Sequence, residues 1–366
     1  MKKVLLLGLV VVMILAAFAG CGNNNASESP SPTATAAAQV TETATGAVMT
    51  GLGNDISIAK SASVSTDEEG NAVNALAEMD TTMAAVTLDS EGRIVNVKID
   101  MVQPKVNFDA EGQLVTDTTQ PVATKVELGD EYGMKKASSI GKEWYEQIAA
   151  LEDWMVGKTI DEVMGIQLND NSAPTEADLT SSVTLSVSGY LAVVKEAVEN
   201  AKSFGVEAKG ATRTGIGSVT SIAKSASATA EADAVGQADV IMAAVTVDED
   251  NKIIGIIIDN GQVKVNFDKS GTLLTDASSK PMTKRELGDE YGMKKASSIG
   301  KEWYEQITAL GEWMLGKTID EVKAMKTYQK DDAHQAVPEE ADLTSSVTIS
   351  VEDYIAAVEK AIANAD

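Results

Sequence analysis

Cysteine, histidine, proline and aromatic residues are scarce in this chain, and the shortages exclude several classes of protein. Among 366 residues there are one Cys, one His and 7 Pro, and 4% of the residues are aromatic. A single Cys cannot form a disulfide within the chain. One Cys and one His are also too few for zinc sites, Cys–His nucleophiles or His-based triads in two domains. We therefore expect no metal site and no catalytic residues.

Positive charge is the next shortage. The chain has 30 Lys and Arg against 55 Asp and Glu, which gives a formal net charge of −25. Binding to nucleic acid requires clustered Lys and Arg that displace counterions from phosphates. We therefore expect no nucleic-acid partner. At about 100–200 residues per domain, the length leaves room for two domains.

The N-terminus has the pattern of an export signal. Two lysines precede an apolar run from Val4 to Ala19, which is short for a membrane-spanning helix and ends in small residues. The segment FAGC at 18–21 resembles the lipobox of bacterial lipoproteins, although Phe18 stands where Leu is usual. The resemblance implies a lipoprotein signal peptide at 1–20, a lipid on Cys21 and a membrane-anchored chain on the extracytoplasmic face. An ordinary signal peptide followed by a free thiol is the alternative.

Residues 21–48 are rich in Ser, Thr, Ala and Asn. Such a composition buries too little apolar surface to offset the entropy lost on ordering, so we predict a disordered tether. Later hydrophobic runs are all too short to span a membrane, so the lipid is the predicted membrane anchor.

The rest of the chain consists of one module that occurs twice. The 22 residues at 127–148 recur without change at 286–307, and we call this sequence the repeated block. The period of about 160 residues is much longer than that of solenoid repeats and indicates domain duplication. We predict a first domain at 49–203, a linker at 204–213 and a second domain at 214–366.

Within each copy, strand signals come first and helix signals come last. Two β-rich runs flank an Asp/Gly turn at 89–92, which predicts a β-hairpin. Apolar residues at helical spacing begin at Trp144, and amphipathic patterns at 192–198 and 355–362 end the two copies. This order predicts an α+β fold of two tandem homologous domains, each an antiparallel sheet packed with helices.

Two features of the helical region admit a functional interpretation. The segment GEWMLGKT at 311–318 satisfies the P-loop pattern, but its preceding residues continue a helical face from Trp303. Because a P-loop follows a strand, we reject nucleotide binding and expect Gly157 and Gly316 to end helices. The aromatic residues either line a pocket for a planar ligand or pack in the core: Trp144, Tyr145, Trp154, Trp303, Tyr304 and Trp313.

The segment DLTSSVT stands ahead of the terminal helix of each copy, at 178–184 and 342–348. It resembles the motif D-x-x-[S/T]-G-A-T-x-[T/S] of the FMN-binding domain family. That family includes an extracytoplasmic domain of the sodium-pumping NADH:quinone reductase and flavinylated lipoproteins, in which a flavin transferase esterifies FMN phosphate to the motif Thr. The resemblance implies covalent FMN on Thr184 and Thr348. The other motif residues implied to bind the cofactor are Asp178, Asp342, Ser181 and Ser345.

The sequence departs from the family at one step of the motif, because Ser182-Val183 and Ser346-Val347 replace Gly-Ala. Glycine lets the backbone approach a phosphate or adopt positive φ, which Ser does at a cost. The repeated block matches nothing known of the family. Two alternatives therefore stay open: a motif that has decayed, and a Ser/Thr segment that caps the last helix.

The resemblance implies a lipoprotein that carries electrons outside the membrane, more an electron carrier or binding protein than an enzyme with its own turnover. Its implied partners are the membrane, through the lipid on Cys21, a flavin transferase and a membrane redox partner. The alternative function is a non-catalytic surface binding or interaction lipoprotein.

Overall fold

The structure is a computed structural model that describes residues 47–332 and 334–366. The predicted signal peptide at 1–20, the lipidation site at Cys21 and almost all of the predicted tether lie outside the described residues.

The predicted α+β class is confirmed. The strands are β1 (Ala47–Ser57), β2 (Ser65–Thr66), β3 (Ala72–Val73), β4 (Ala75–Glu78), β5 (Asp80–Leu88), β6 (Ile94–Val102), β7 (Lys105–Phe108), β8 (Lys202–Glu207), β9 (Arg213–Ser221), β10 (Ala234–Val247), β11 (Ile253–Phe267), β12 (Thr327–Tyr328) and β13 (Val337–Pro338). The helices are α1 (Lys125–Leu128), α2 (Trp144–Met155), α3 (Ile160–Met164), α4 (Ser188–Glu199), α5 (Lys284–Leu287), α6 (Trp303–Met314), α7 (Ile319–Lys323) and α8 (Glu352–Ala363).

The predicted hairpin forms one side of each sheet, with its second strand, β6 or β11, at the sheet edge. Strands β5 and β6 pair antiparallel, as do β10 and β11 in the second copy. In the first turn, Asp89 Oδ1 accepts hydrogen bonds from the backbone N–H groups of Glu91 and Arg93, and Gly92 has φ +76°. The Asp side chain thus closes the turn, and Gly supplies a left-handed conformation without strain.

The strands form two main antiparallel sheets, in the orders β6-β5-β1-β8 and β11-β10-β9. Strand β8, which overlaps the predicted linker, pairs with β1 and so extends the first sheet. Pro104 lies between β6 and β7, whereas Val263 occupies the equivalent position inside the continuous strand β11. Because Pro has no N–H to donate to a ladder, it interrupts the strand in the first copy only.

One face of each sheet is covered by helices of its own copy. Ala84 and Val86 of β5 pack in a core with α2 and α4, and the corresponding core of the second copy contains α6 and α8. Glycine permits this approach, because a Cβ at Gly51 would lie 1.8 Å from the Ala197 carbonyl oxygen. The long helix α4 therefore lies almost directly on the backbone of β1.

The other faces of the two sheets pack against each other. Met83 and Ala85 of β5 share one core with residues of β10 and β11, and the rings of Phe108 and Phe267 lie 5.3 Å apart between centroids. The two copies therefore form four layers, helices, sheet, sheet and helices, with a central core that belongs to both.

The contacts across this central core are reciprocal. The hydroxyl oxygens of Thr50 and Thr246 lie 2.7 Å apart, and those of their equivalents Thr214 and Thr87 lie 2.5 Å apart. Reciprocity of this kind is the mark of a two-fold arrangement. The duplicated chain thus folds as a pseudosymmetric pair.

Candidate functional site

The motif segment of each copy is a compact turn at the surface, formed by residues 176–184 and 340–348, which we call the motif turns. In the first turn, the N–H groups of Thr180 and Val183 donate to the carbonyl groups of Glu176 and Leu179. Leu179 and Val183 are buried in the helix-facing core. These two apolar anchors fix the turn on the domain and leave its polar residues outside.

The predicted site residues occupy this exposed side. Asp178, Ser181 and Thr184 are exposed in the first copy. In the second copy Asp342 and Ser345 are also exposed, whereas Thr348 is half-buried. The structure thus brings the predicted residues of each copy onto one turn. Their proposed role in binding a cofactor stays a prediction.

Each motif threonine is held by a buried glutamine of the repeated block. Gln147 Oε1 accepts hydrogen bonds from Thr184 N at 2.8 Å and from Thr184 Oγ1 at 3.2 Å. The equivalent distances from Thr348 to Gln306 Oε1 are 2.9 Å and 3.3 Å. Both glutamines are fully buried. The repeated block, which has no counterpart in the FMN-binding motif, therefore forms the floor under each motif turn.

The glutamine amide nitrogen is itself held within the block. Gln147 Nε2 donates to Ser138 Oγ at 3.2 Å and to the Lys142 carbonyl oxygen at 3.3 Å. The second copy repeats both bonds with the same distances, from Gln306 to Ser297 and Lys301. With both amide hydrogens engaged, the side-chain oxygen must face the motif threonine.

The loop that carries Ser138 is tied down by a buried acid. The Glu143 carboxylate accepts hydrogen bonds from the backbone N–H groups of Met134 at 2.8 Å and Lys135 at 2.9 Å. Glu143 is 2% exposed and directly precedes α2. The N-terminus of α2 thus positions both features, because Glu143 holds the loop and Gln147 lies in the first turns of the helix.

The Ser-Val step of each motif turn carries no backbone strain. Among the described residues, the positive φ angles outside glycine are at Ser172 and Asn251. Ser182 and Ser346 are therefore in ordinary conformations, for which glycine is not needed. Val183 is buried in the helix-facing core, so its side chain points away from the exposed turn.

The N-cap alternative for the motif is wrong. Helix α4 begins at Ser188, its N-cap is Val187, and no side chain caps it; α8 has the equivalent arrangement with Val351. The Thr184 hydroxyl bonds Gln147 instead of a helix terminus. Thr184 is therefore free of a capping role.

A lysine lies beside the second motif turn. Lys301 Nζ is 3.4 Å from Ser346 Oγ, two residues before Thr348. A cation in this position suits a phosphate group on the turn, since it offers three N–H donors.

The aromatic residues mainly pack. Trp144 is 1% exposed and donates its indole N–H to Tyr190 Oη at 2.9 Å. Lys125 Nζ lies 5.2 Å from the centre of the Trp144 ring and 4.6 Å from that of Tyr132. Burial lowers the pKa of Lys125 to about 8. The second copy repeats this group with Trp303 and Lys284, whose pKa burial also lowers to about 8.

The rejection of a P-loop is confirmed. Gly311 lies inside α6, and Gly316 follows the helix with φ +75°. Gly157 has φ +81° after α2. Both glycines therefore end helices, as the sequence indicates.

A cavity of about 310 Å³ lies away from the motif turns. Its wall contains Lys98, Asp100, Glu152 and Asp366. Glu152 is 7% exposed, and its Oε1 accepts a hydrogen bond from Ile99 N at 2.6 Å. Burial raises the pKa of Glu152 to about 7 despite the nearby Lys98. The described residues contain no group of three or more Cys, His, Asp or Glu arranged for a metal ion.

Nothing in the described part of the chain resembles a membrane span, because none of its helices is both long and apolar enough to cross a bilayer.

Gln147 and Gln306 were not identified from the sequence as residues of the site. The only indication in the sequence was that the repeated block is identical in the two copies, and this identity does not show which residues the block contacts.

Comparisons with known proteins give one short similarity. No family model matches the chain, and no solved structure matches it. A segment of 41 residues is 51% identical to part of a chlorophenol reductase from Desulfitobacterium hafniense. This segment covers 11% of the present chain and 12% of that protein, so the chain matches far less than two thirds of its relative.

Proposed function

We propose that the protein is a membrane-anchored extracytoplasmic lipoprotein that carries covalent FMN on Thr184 and Thr348 and transfers electrons outside the membrane. The observation that carries this proposal is the accessible Thr184 on a fixed surface turn; the second copy repeats its hydrogen bond to glutamine, with Thr348 half-buried. A threonine that must receive a bulky group has to be reachable by the enzyme that attaches it. The lipid on Cys21 and the export signal supply the proposed location.

The residues of the motif turns fit such a group. Their backbone is unstrained at Ser182 and Ser346, and Lys301 provides a positive charge beside the second turn. FMN supplies reversible electron transfer when it is attached. The chain supplies the anchoring hydroxyl, the rigid turn and the surrounding charge. A net charge of −25 disfavours further negative charge and so would lower the reduction potential.

The test uses the full chain, exported in a bacterial host together with a flavin transferase. We expect the intact mass to show two added FMN groups and the protein band to fluoresce. Thr184→Ala and Thr348→Ala should each remove one group, and the double variant should remove both. Cys21→Ala should abolish the lipid while leaving the FMN in place.

A specific observation favours a second candidate function. The Ser-Val step departs from the family motif in both copies, and a decayed motif would leave a non-catalytic surface binding lipoprotein. A colourless chain of unmodified mass from the same host would overturn the FMN proposal and favour this alternative. An FMN adduct that persists in the double threonine variant would also overturn the proposed attachment sites.

A further inference from the structure

The glutamine beneath each motif threonine fixes the direction in which the threonine hydroxyl points. A threonine side chain on a turn can occupy three staggered χ1 positions, which place its hydroxyl in different directions. The bonds to Gln147 Oε1 from both the backbone and the side chain of Thr184 select one of them. Because Gln147 is buried and its amide nitrogen is engaged twice, the acceptor oxygen itself is immobilised.

We propose that Gln147 and Gln306 are positioning residues that present the hydroxyls of Thr184 and Thr348 for esterification. This inference rests on the proposed function. It also gives the repeated block a role, since the block holds each glutamine through Ser138 or Ser297 and through the carbonyl of Lys142 or Lys301. The residues that present the acceptor thus come from a segment distant in sequence from the motif.

The reaction requires an activated FMN donor, because the oxygen of a simple phosphate is a poor leaving group. A phosphoanhydride of FMN with AMP, flavin adenine dinucleotide, meets this requirement. Thr184 Oγ1 forms a bond to the FMN phosphorus, the phosphoanhydride bond breaks, and AMP leaves with the bonding electron pair. The hydroxyl proton passes to a base of the flavin transferase.

Gln147 is suited to this step because it holds the threonine twice. When the hydroxyl hydrogen turns toward the base, the bond from Thr184 N to Gln147 Oε1 remains and keeps the turn in place. Pre-oriented acceptors react faster because less freedom is lost on the way to the transition state. A change at this glutamine should therefore lower the rate of attachment in addition to the stability lost with its buried hydrogen bonds.

The duplicated chain offers a matched control within one molecule. In a Thr348→Ala background only Thr184 can accept FMN, so Gln147→Leu removes the relevant acceptor, whereas Gln306→Leu makes the same change in the other copy. Both substitutions remove the same pair of amide bonds to the repeated block, so they should lower the melting temperature by similar amounts. Gln147→Glu restores an acceptor oxygen without the amide hydrogens.

The measurement is the initial rate of FMN incorporation by purified transferase and flavin adenine dinucleotide, followed by intact mass. We expect Gln147→Leu to lower kcat/KM about tenfold, the effect of one lost hydrogen bond in the transition state. Gln306→Leu, which changes the other motif turn, should slow Thr184 much less than Gln147→Leu does, and Gln147→Glu should recover part of the loss.

Two outcomes overturn the inference separately from the proposed function. If the parent accepts FMN and Gln147→Leu is as fast as the parent, the glutamine has no positioning role. If Gln147→Leu and Gln306→Leu slow Thr184 equally, the effect is one of general stability. A parent that accepts no FMN overturns the proposed function itself, and the inference fails with it.

Discussion

The hydroxyl oxygens of Thr87 and Thr246, equivalent residues of the two copies, lie 2.6 Å apart in the centre of the molecule. Each also bonds a second threonine, Thr214 or Thr50, so that four fully buried hydroxyls form one chain across the two sheets. The interface between the copies therefore has a polar centre within an apolar core.

Substitution in this chain of hydroxyls should destabilise the whole protein. Thr87→Val keeps the shape of the side chain but leaves the buried Thr214 hydroxyl without its partner, which costs about 1–3 kcal/mol. We expect urea unfolding to shift accordingly for Thr87→Val. Replacement of all four threonines by Val should cost less than the sum of the single changes, because no hydroxyl is then left unpaired. Additive losses would contradict this account.

The glycines of β1 should tolerate no side chain. A Cβ at Gly53 would lie 2.2 Å from the Val193 carbonyl oxygen, and one at Gly51 would be closer still to α4. Because backbone atoms cannot move aside cheaply, Gly53→Ala should cost about 1–3 kcal/mol or more in the free energy of unfolding. Gly189→Ala is the matched control, since its Cβ would meet no atom within 4 Å. A thermal melt in which both variants match the parent would contradict this packing.

The buried Glu152 should make stability depend on pH. Its pKa is raised from 4.5 to about 7, so the folded state binds a proton more tightly than the unfolded chain does. Its contribution to stability is therefore complete below about pH 4.5 and is lost as the pH rises through about 7. Glu152→Gln should flatten the profile of urea midpoints across this window. Parallel profiles for the two proteins would show that Glu152 does not titrate there.

The two motif threonines should accept FMN at different rates. Thr184 is exposed, whereas Thr348 is half-buried. With limiting transferase, we expect peptide mapping of a time course to find Thr184 modified first. The single variants Thr184→Ala and Thr348→Ala provide the separate rates. Faster modification of Thr348 would contradict a role for side-chain exposure.

Local features of the fold were predictable from the sequence. The Asp/Gly turn at 89–92 predicted the hairpin of β5 and β6, and the helical spacing from Trp144 predicted α2. In both cases the determinants lie within one or two turns of chain, so they can be recognised without tertiary information.

The joining of the two copies was not predicted, although one signal for it exists. Residues 83–86 of β5 form a continuous apolar run instead of an alternating one, and such a run is typical of a strand covered on both sides, as β5 is. The sequence does not show that the second face of β5 packs against the sheet of the other copy. Likewise, Gln147 and Thr184 are 37 residues apart, and neither helical nor strand periodicity relates them.

The shared sheet-to-sheet core has a consequence for how this gene product can be divided. Cutting the chain between its halves would expose a broad apolar surface on each piece, and each piece would have to cover it by pairing with a second molecule of its own kind. The tandem chain is in this sense a homodimer joined by a peptide link, in which partner choice and stoichiometry no longer depend on concentration.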